Sequence, residues 1–440
     1  MDEILDLKNW YLQKFEHLER SLNGDSTTIH SLRRDAISYF SDLKFPSLKD
    51  EDWKYTNIAP LLKYNFKPVD PKKTIAPIQP GKIEKYLFDK MEHSLLVFIN
   101  GHYSEKLSDI QDLPKDVIVC NIASAISDHS SIVKKHFGKY ADYKGHIFTA
   151  LSTAFIKDGV FVYIPDGKII EHPIHILFLS DCKEEKLLIQ PRNLFVAGKN
   201  SQATIIEHYT SFGECTYFTN TVTEVVADEN SIVDHIKLQE ESKKAFHVAR
   251  MEVDQERSSN FTSHLISTGG DISRNDFNTR FNNEGGECML NGLFLTTGTQ
   301  LFDIHSMIDH AKPYCNSHEH YKGILDDKSR GVFNGKVMVR KDAQKTNAFQ
   351  ENNNIILSDS ALINTKPQLE IFADDVKCSH GATIGQLDAE AMFYLKSRGI
   401  GEETARTILI HAFASDVIKS IKTTEVRNYL EEILNKRFNN

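Results

Sequence analysis

The chain has 440 residues, 40% of them hydrophobic and 26% charged, enough to bury a sizeable core across two or three domains. Its formal net charge of -9 is spread along the chain without a basic stripe, which argues against nucleic acid as a partner. No run approaches the roughly 18 apolar residues of a membrane span, and the acidic start MDEILDLKNWYLQKF is unlike a basic secretory leader, so a cytoplasmic home off the membrane is expected.

In chain order, Leu7, Tyr11 and Leu18, then Leu32, Ala36, Tyr39 and Phe40, recur at spacings that share a helix face and predict two amphipathic helices. Asn23-Gly24-Asp25-Ser26 supplies turn and capping chemistry between them. Residues 1–140 read as a helical and mixed domain, with prolines 71, 77 and 80 in loops and a buried strand at Leu95-Leu96-Val97-Phe98-Ile99. From 141 to 386 alternation replaces helical spacing. Ile236 and Leu238 alternate with His235, Lys237 and Gln239, and Phe302 and Ile304 with Asp303 and His305, so each strand is expected to have one wet face. Turn signals at Thr268-Gly269-Gly270-Asp271, Glu284-Gly285-Gly286-Glu287 and Asn334-Gly335 recur without a strict period, which suits a solenoid or a large sandwich. Residues 387–440 return to helical spacing and predict three helices. The second carries the stripe Ala405, Ile408, Leu409, Ala412 and Phe413, wide enough for a partner groove beside the domain's own packing.

The familiar enzyme signatures are missing. The Gly-Lys pairs at 81, 138, 167, 198 and 335 are followed by Ile, Tyr, Ile, Asn and Val, never by the Ser or Thr of a phosphate-binding loop. Six cysteines, Cys120, Cys182, Cys215, Cys288, Cys315 and Cys378, are too sparse for a disulfide framework, so reduced thiols are expected. Cys315, His318 and His320 place a thiol and two imidazoles within six residues, a candidate metal site that His305 and His310 upstream could join. Cys378 and His380, in Lys377-Cys378-Ser379-His380-Gly381-Ala382-Thr383, share one face if they lie on a strand. Soft sulfur beside imidazole suits iron or a cluster fragment, but two ligands cannot fill a four-ligand site, so the others would come from another chain.

The block from Pro367 to Thr383 resembles the C-terminal signature of the SufB and SufD family of iron-sulfur cluster assembly proteins. Tyr321-Lys322-Gly323, Arg330 to Lys336, Ala343-Gln344-Lys345-Thr346, Gln350 to Asn354, Phe393 to Ile400 and Glu51-Asp52-Trp53-Lys54-Tyr55-Thr56 resemble the same family in order. Ser379-His380-Gly381-Ala382 stands where SufB typically reads Glu-His-Glu-Ala, which places the resemblance on the SufD side. The resemblance implies a mainly β fold, a right-handed parallel β-helix between helical ends. It implies a scaffold, not an enzyme, in complex with SufB and the ATPase SufC, whose docking falls to the 387–440 tail. It further implies that the isolated chain binds no cofactor, that iron or a transient cluster meets Cys378 and His380 only in complex with SufB, and that the isolated chain has itself as a homodimer partner. The rival is a β-helical or cupin-like metalloenzyme using His305, His318 and His320. Deletion of residues 389–440 is expected to leave the β body folded. With no phosphate-cradling loop, the purified chain is expected to release phosphate from ATP no faster than buffer, checked by a coupled assay free of any ATPase subunit.

Overall fold

A parallel strand cannot hydrogen-bond to its immediate predecessor through a tight turn; it needs a crossover, and here the crossover is itself a strand of a second sheet. In the computed structural model, which describes residues 2–21, 28–69, 78–110 and 113–438, successive strands alternate between two sheets. Phe218 pairs with Phe246, Phe246 with Ile272, Ile272 with Leu301, Leu301 with Arg330 and Arg330 with Leu362, all in parallel register. The second sheet stacks Ile232, Asn260, Glu287, Asn316, Asn347 and Lys377 in the same way. The product is a β-solenoid of about eight turns flanked by helices, which resolves the choice between solenoid and sandwich. A turn takes a varying number of residues, roughly 30, and the strict sequence period is lost for that reason.

The predicted strand at 95–99 is observed as Ser94–Ile99, buried throughout, but it joins the second sheet beside Ile174–Ser180, so the solenoid recruits a strand from within residues 1–140. Helices Asp2–Ser21 and Thr28–Asp42 form as predicted. Leu7, Tyr11, Leu18, Ala36 and Phe40 meet Phe148 and Leu151, and the outward Phe218, Phe246 and Ile272 of the first sheet belong to the same core. The predicted turn at 23–26 and the loops at prolines 71 and 77 lie outside the described residues. At the far end of the chain, helices Glu402–Ser420 and Thr424–Phe438 lay Ile410, Ala414, Val417, Val426, Leu430 and Leu434 over the outward Ile236, Leu238, Ile266, Leu293 and Ile324 of the second sheet. Tyr429 donates to Glu240 at 2.8 Å and Lys422 meets Asp234 at 2.9 Å. The tail therefore completes the second sheet's outer core, and its deletion would expose the apolar residues it covers, contrary to expectation.

Three further expectations are overturned. His235, Lys237 and Gln239 are not on a wet face: they are buried and point into the bore. There Lys237 Nζ lies 2.9 Å from His247 and 2.7 Å from Asn275, while Tyr209 donates to Glu207 at 2.7 Å. With its outer face covered by helices, the alternation of a strand of the second sheet separates two buried environments, one apolar and one partly polar. Burial lowers the Lys237 ammonium to about 8. Asn334-Gly335 is no turn but the middle of strand Arg330–Val339. Cys182 and Cys215 are disulfide-bonded, with Cα atoms 5.6 Å apart, because neighbouring turns of the solenoid bring together residues 33 positions apart.

Deeper along the bore, Glu319 accepts a hydrogen bond from Ser306 and another, at 2.6 Å, from the Gln350 side-chain amide. Burial nevertheless pushes its carboxyl up to about 7. The folded chain thus keeps a proton that the unfolded chain releases near the ordinary glutamate value. This contribution is fully present below that value and is lost as pH rises through about 7. Against Glu319→Gln, the wild type is expected to lose about 3 kcal/mol of stability between pH 4 and pH 8, read from urea unfolding at each pH. Parallel pH profiles for the two proteins would refute the assignment.

Candidate functional site

Stacking that satisfies each strand from below leaves the last turn unsatisfied above. Strands Leu362–Ile371 and Lys377–Gly385 are the terminal strands of the two sheets, and each has one strand neighbour, Arg330–Val339 and Asn347–Ile356 respectively. At the opposite end the sheets finish in the antiparallel strands Ile118–Asn121 and His102–Tyr103. The open edge carries Pro367, a residue that tolerates edge strands because it has no N–H to donate. It also exposes Phe372, 64% accessible, and Ile384, 50% accessible. Neither was singled out from the sequence, where an apolar residue in a β segment reads as core.

Cys378 and His380 lie on the terminal strand, two positions apart, and so share a face as expected. By register they stand above Ala348 and Gln350, both buried bore residues, so their shared face is the inward one. Cys378 is half-buried, packed against the main core, and that burial pushes its thiol up. A thiol held protonated in the free chain becomes a good ligand once a metal displaces the proton. His380 is exposed. The pair offers one soft and one borderline ligand at an open edge, two short of a four-ligand site.

The tail stripe divides. Ala405 is buried against the protein's own core, whereas Ile408 is 41% accessible, Ala412 is exposed, and Leu409 and Phe413 are half-buried. The sequence reading drew the stripe about one position away from the face that packs, which runs through Ala405, Ile410, Ala414, Val417 and Ile418. On the preceding helix, Ala389–Ser397, no residue is buried, and Phe393 and Tyr394 are exposed at 74% and 56%. Their exposure became visible only with the fold.

The other candidates do not converge. Cys315 is fully buried in the turn before strand Asn316–Leu325, its Sγ 3.4 Å from the Asn283 carbonyl. His318 points the other way, stacked on Phe349, and His320 faces Asp416 at 4.0 Å. His310 is in the bore, 2.8 Å from Ser317 and lowered to about 3 by burial. His305 is on the first sheet, held by Asp303 and Asn334 at 3.1 and 3.3 Å. Alternation places odd and even positions of a strand on opposite faces, and among the described residues no group of three His, Cys, Asp or Glu side chains is placed to hold a metal.

A groove of about 810 Å³ runs between residues 43–53 and the outer face of the first sheet. Several of the charges along it are paired: Arg274 meets Asp276 and Asp303 at 2.9 Å, and Arg250 meets Glu252 at 2.6 Å. Trp53 lies under the Arg274 guanidinium, 3.8 Å from ring centre to Cζ, and Thr56 bonds Asp303 at 2.5 Å. The segment Glu51 to Thr56 thus staples the N-terminal cap to the solenoid.

Residues 178–413 match the SUF system FeS cluster assembly SufBD core domain, and residues 5–176 match the SufBD protein N-terminal region. Among curated proteins, the chain is 34% identical to an iron-sulfur cluster assembly SufBD family protein of Synechocystis, over 92% of this chain and 90% of that one. It is 30% identical to the iron-sulfur cluster assembly protein SufD of Escherichia coli, over 93% of each. SufD of Bacillus subtilis is 25% identical over 98% of each chain. With a solenoid between helical ends, signature residues on its terminal strand and family matches over nearly its whole length, the chain belongs to the SufBD family of iron-sulfur cluster assembly proteins.

Proposed function

We propose that the chain is a non-catalytic, cytoplasmic scaffold subunit that pairs with SufB through the open end of its solenoid and with the ATPase SufC through its tail helices. The observation that carries this reading is the coincidence of the unpaired edge with Cys378 and His380. A SufB strand end would extend both sheets and cover Phe372 and Ile384. It would also bring further ligands to the thiol and imidazole, and iron or nascent cluster enters as cargo between the chains. Without SufB, a second copy of this chain would meet the same edge. Ile408, Ala412, Leu409 and Phe413, with Phe393 and Tyr394 nearby in sequence, form the apolar surface offered to SufC.

His380→Ala removes a ligand at an exposed strand position, at a cost to folding of about 1 kcal/mol or less. The variant complex with SufB and SufC is expected to assemble and hydrolyse ATP at the wild-type rate, yet fail to mature clusters in cells, with Cys378→Ser milder. Normal cluster content in the same preparation would make His380 structural. For the tail, Ile408→Asp is expected to weaken SufC binding about tenfold or more while leaving the melting temperature of the isolated chain unchanged, checked by calorimetric titration. Unchanged affinity for SufC would move the docking surface elsewhere.

A further inference from the structure

His380 has a neighbour below it whose hydrogen bonding is incomplete. Register places Gln350 directly beneath His380 and Glu319 directly beneath Gln350, all three on the inward face of the second sheet. Gln350 is 3% exposed. Its amide nitrogen donates to Glu319 at 2.6 Å, and the other Glu319 oxygen is taken by Ser306. Its carbonyl oxygen, Oε1, is buried with no hydrogen-bond partner. An acceptor buried in this way is costly unless something donates to it.

The opposite sheet is shaped around the same amide. Gly335 lies mid-strand, where glycine weakens a sheet, and a Cβ there would come within 2.2 Å of the Gln350 amide nitrogen. Two elements therefore hold one group: Glu319 fixes which end of the amide faces down the bore, and Gly335 provides the room for it. The next turn above carries an imidazole, which has an N–H to give.

We propose that Gln350, oriented by Glu319 and given room by Gly335, is a positioning residue for His380: its carbonyl oxygen accepts one imidazole N–H and so leaves the other ring nitrogen as a lone-pair donor facing the cargo. The inference rests on the reading of His380 as a ligand. Metal-binding histidines are commonly fixed in this way through the nitrogen that does not bind. Glu319 sets the orientation because a carboxylate accepts only, which forces the amide NH2 toward it; the neutral acid has an O–H and tolerates the flipped amide. The remaining titratable groups facing Glu319 are Cys288 and Tyr321, both kept protonated by burial.

The test uses the full-length chain labelled with 15N at histidine, with the His380 ring signals assigned by their loss in His380→Ala. At pH 8 the wild type is expected to show two widely separated ring-nitrogen shifts, the mark of a single neutral tautomer. Gln350→Met, similar in size but without the acceptor, is expected to average them toward those of an exposed histidine. It should also lower cluster content of the SufB and SufC complex about 10- to 100-fold at unchanged complex yield. Glu319→Gln leaves Gln350 in place and serves as the second variant should Gln350→Met not fold. In Glu319→Gln, whose side-chain amide no longer forces the Gln350 NH2 toward it, the His380 ring shifts at pH 8 are expected to average in the same way. A His380 signal indistinguishable among wild type, Gln350→Met and Glu319→Gln would overturn the positioning role even if His380→Ala abolishes cluster formation. Tautomer release in Gln350→Met with normal cluster content in His380→Ala would uphold the positioning and refute the ligand reading.

Discussion

The structure depends on one constraint: each strand takes its backbone hydrogen bonds from the strand one turn earlier, about 4.8 Å away. The first turns can be closed, and here antiparallel strands close them. The last turn cannot be satisfied from within a growing stack. Its free N–H and C=O groups make an edge open to further pairing, and residues placed there are presented at the surface.

The same stacking explains why the interior is not uniformly apolar. Residues at one register position form columns, and a column can be read along its length: Leu290, Glu319, Gln350 and His380 form one, Cys288, Ser317, Ala348 and Cys378 its neighbour. A polar residue in a column must find a partner above, below or across the bore. Glu319 finds Gln350 above and Ser306 across, while the Lys237 network finds His247 and Asn275 across. Polar groups arranged in this way fix register, because a slip by one residue would send each of them to the other face.

Much of this was legible in the chain. Helical spacing located both ends, alternation located the β body, and the family blocks pointed to the terminal strand before any geometry was known. What failed did so for identifiable reasons. Alternation was read as dry against wet, but with helices over the second sheet the two sides of Lys237 and Leu238 are both buried. Glycine after asparagine was read as a turn, but Gly335 answers to Gln350 on the opposite sheet, a contact no local pattern encodes. Sparse cysteines were read as reduced, but solenoid stacking joins Cys182 to Cys215. The Cys315, His318 and His320 cluster is dense in sequence and dispersed in space, since alternation and a turn send its members to opposite faces.

A scaffold that passes its cargo on needs ligands that bind without forming a closed cage. In the proposed reading, the terminal strand meets that requirement through what it lacks. A complete four-ligand site within one chain would hold iron or cluster as tightly as a structural centre does, and release would require unfolding the site. One half-buried thiol, kept protonated until metal arrives, and one exposed imidazole make a half-site whose affinity depends on the second chain being present and correctly placed. Ligand number then becomes a function of the interface geometry. A motion that shifts the two chains at that edge removes ligands without disturbing either solenoid, because the rigid stack ends where the site begins.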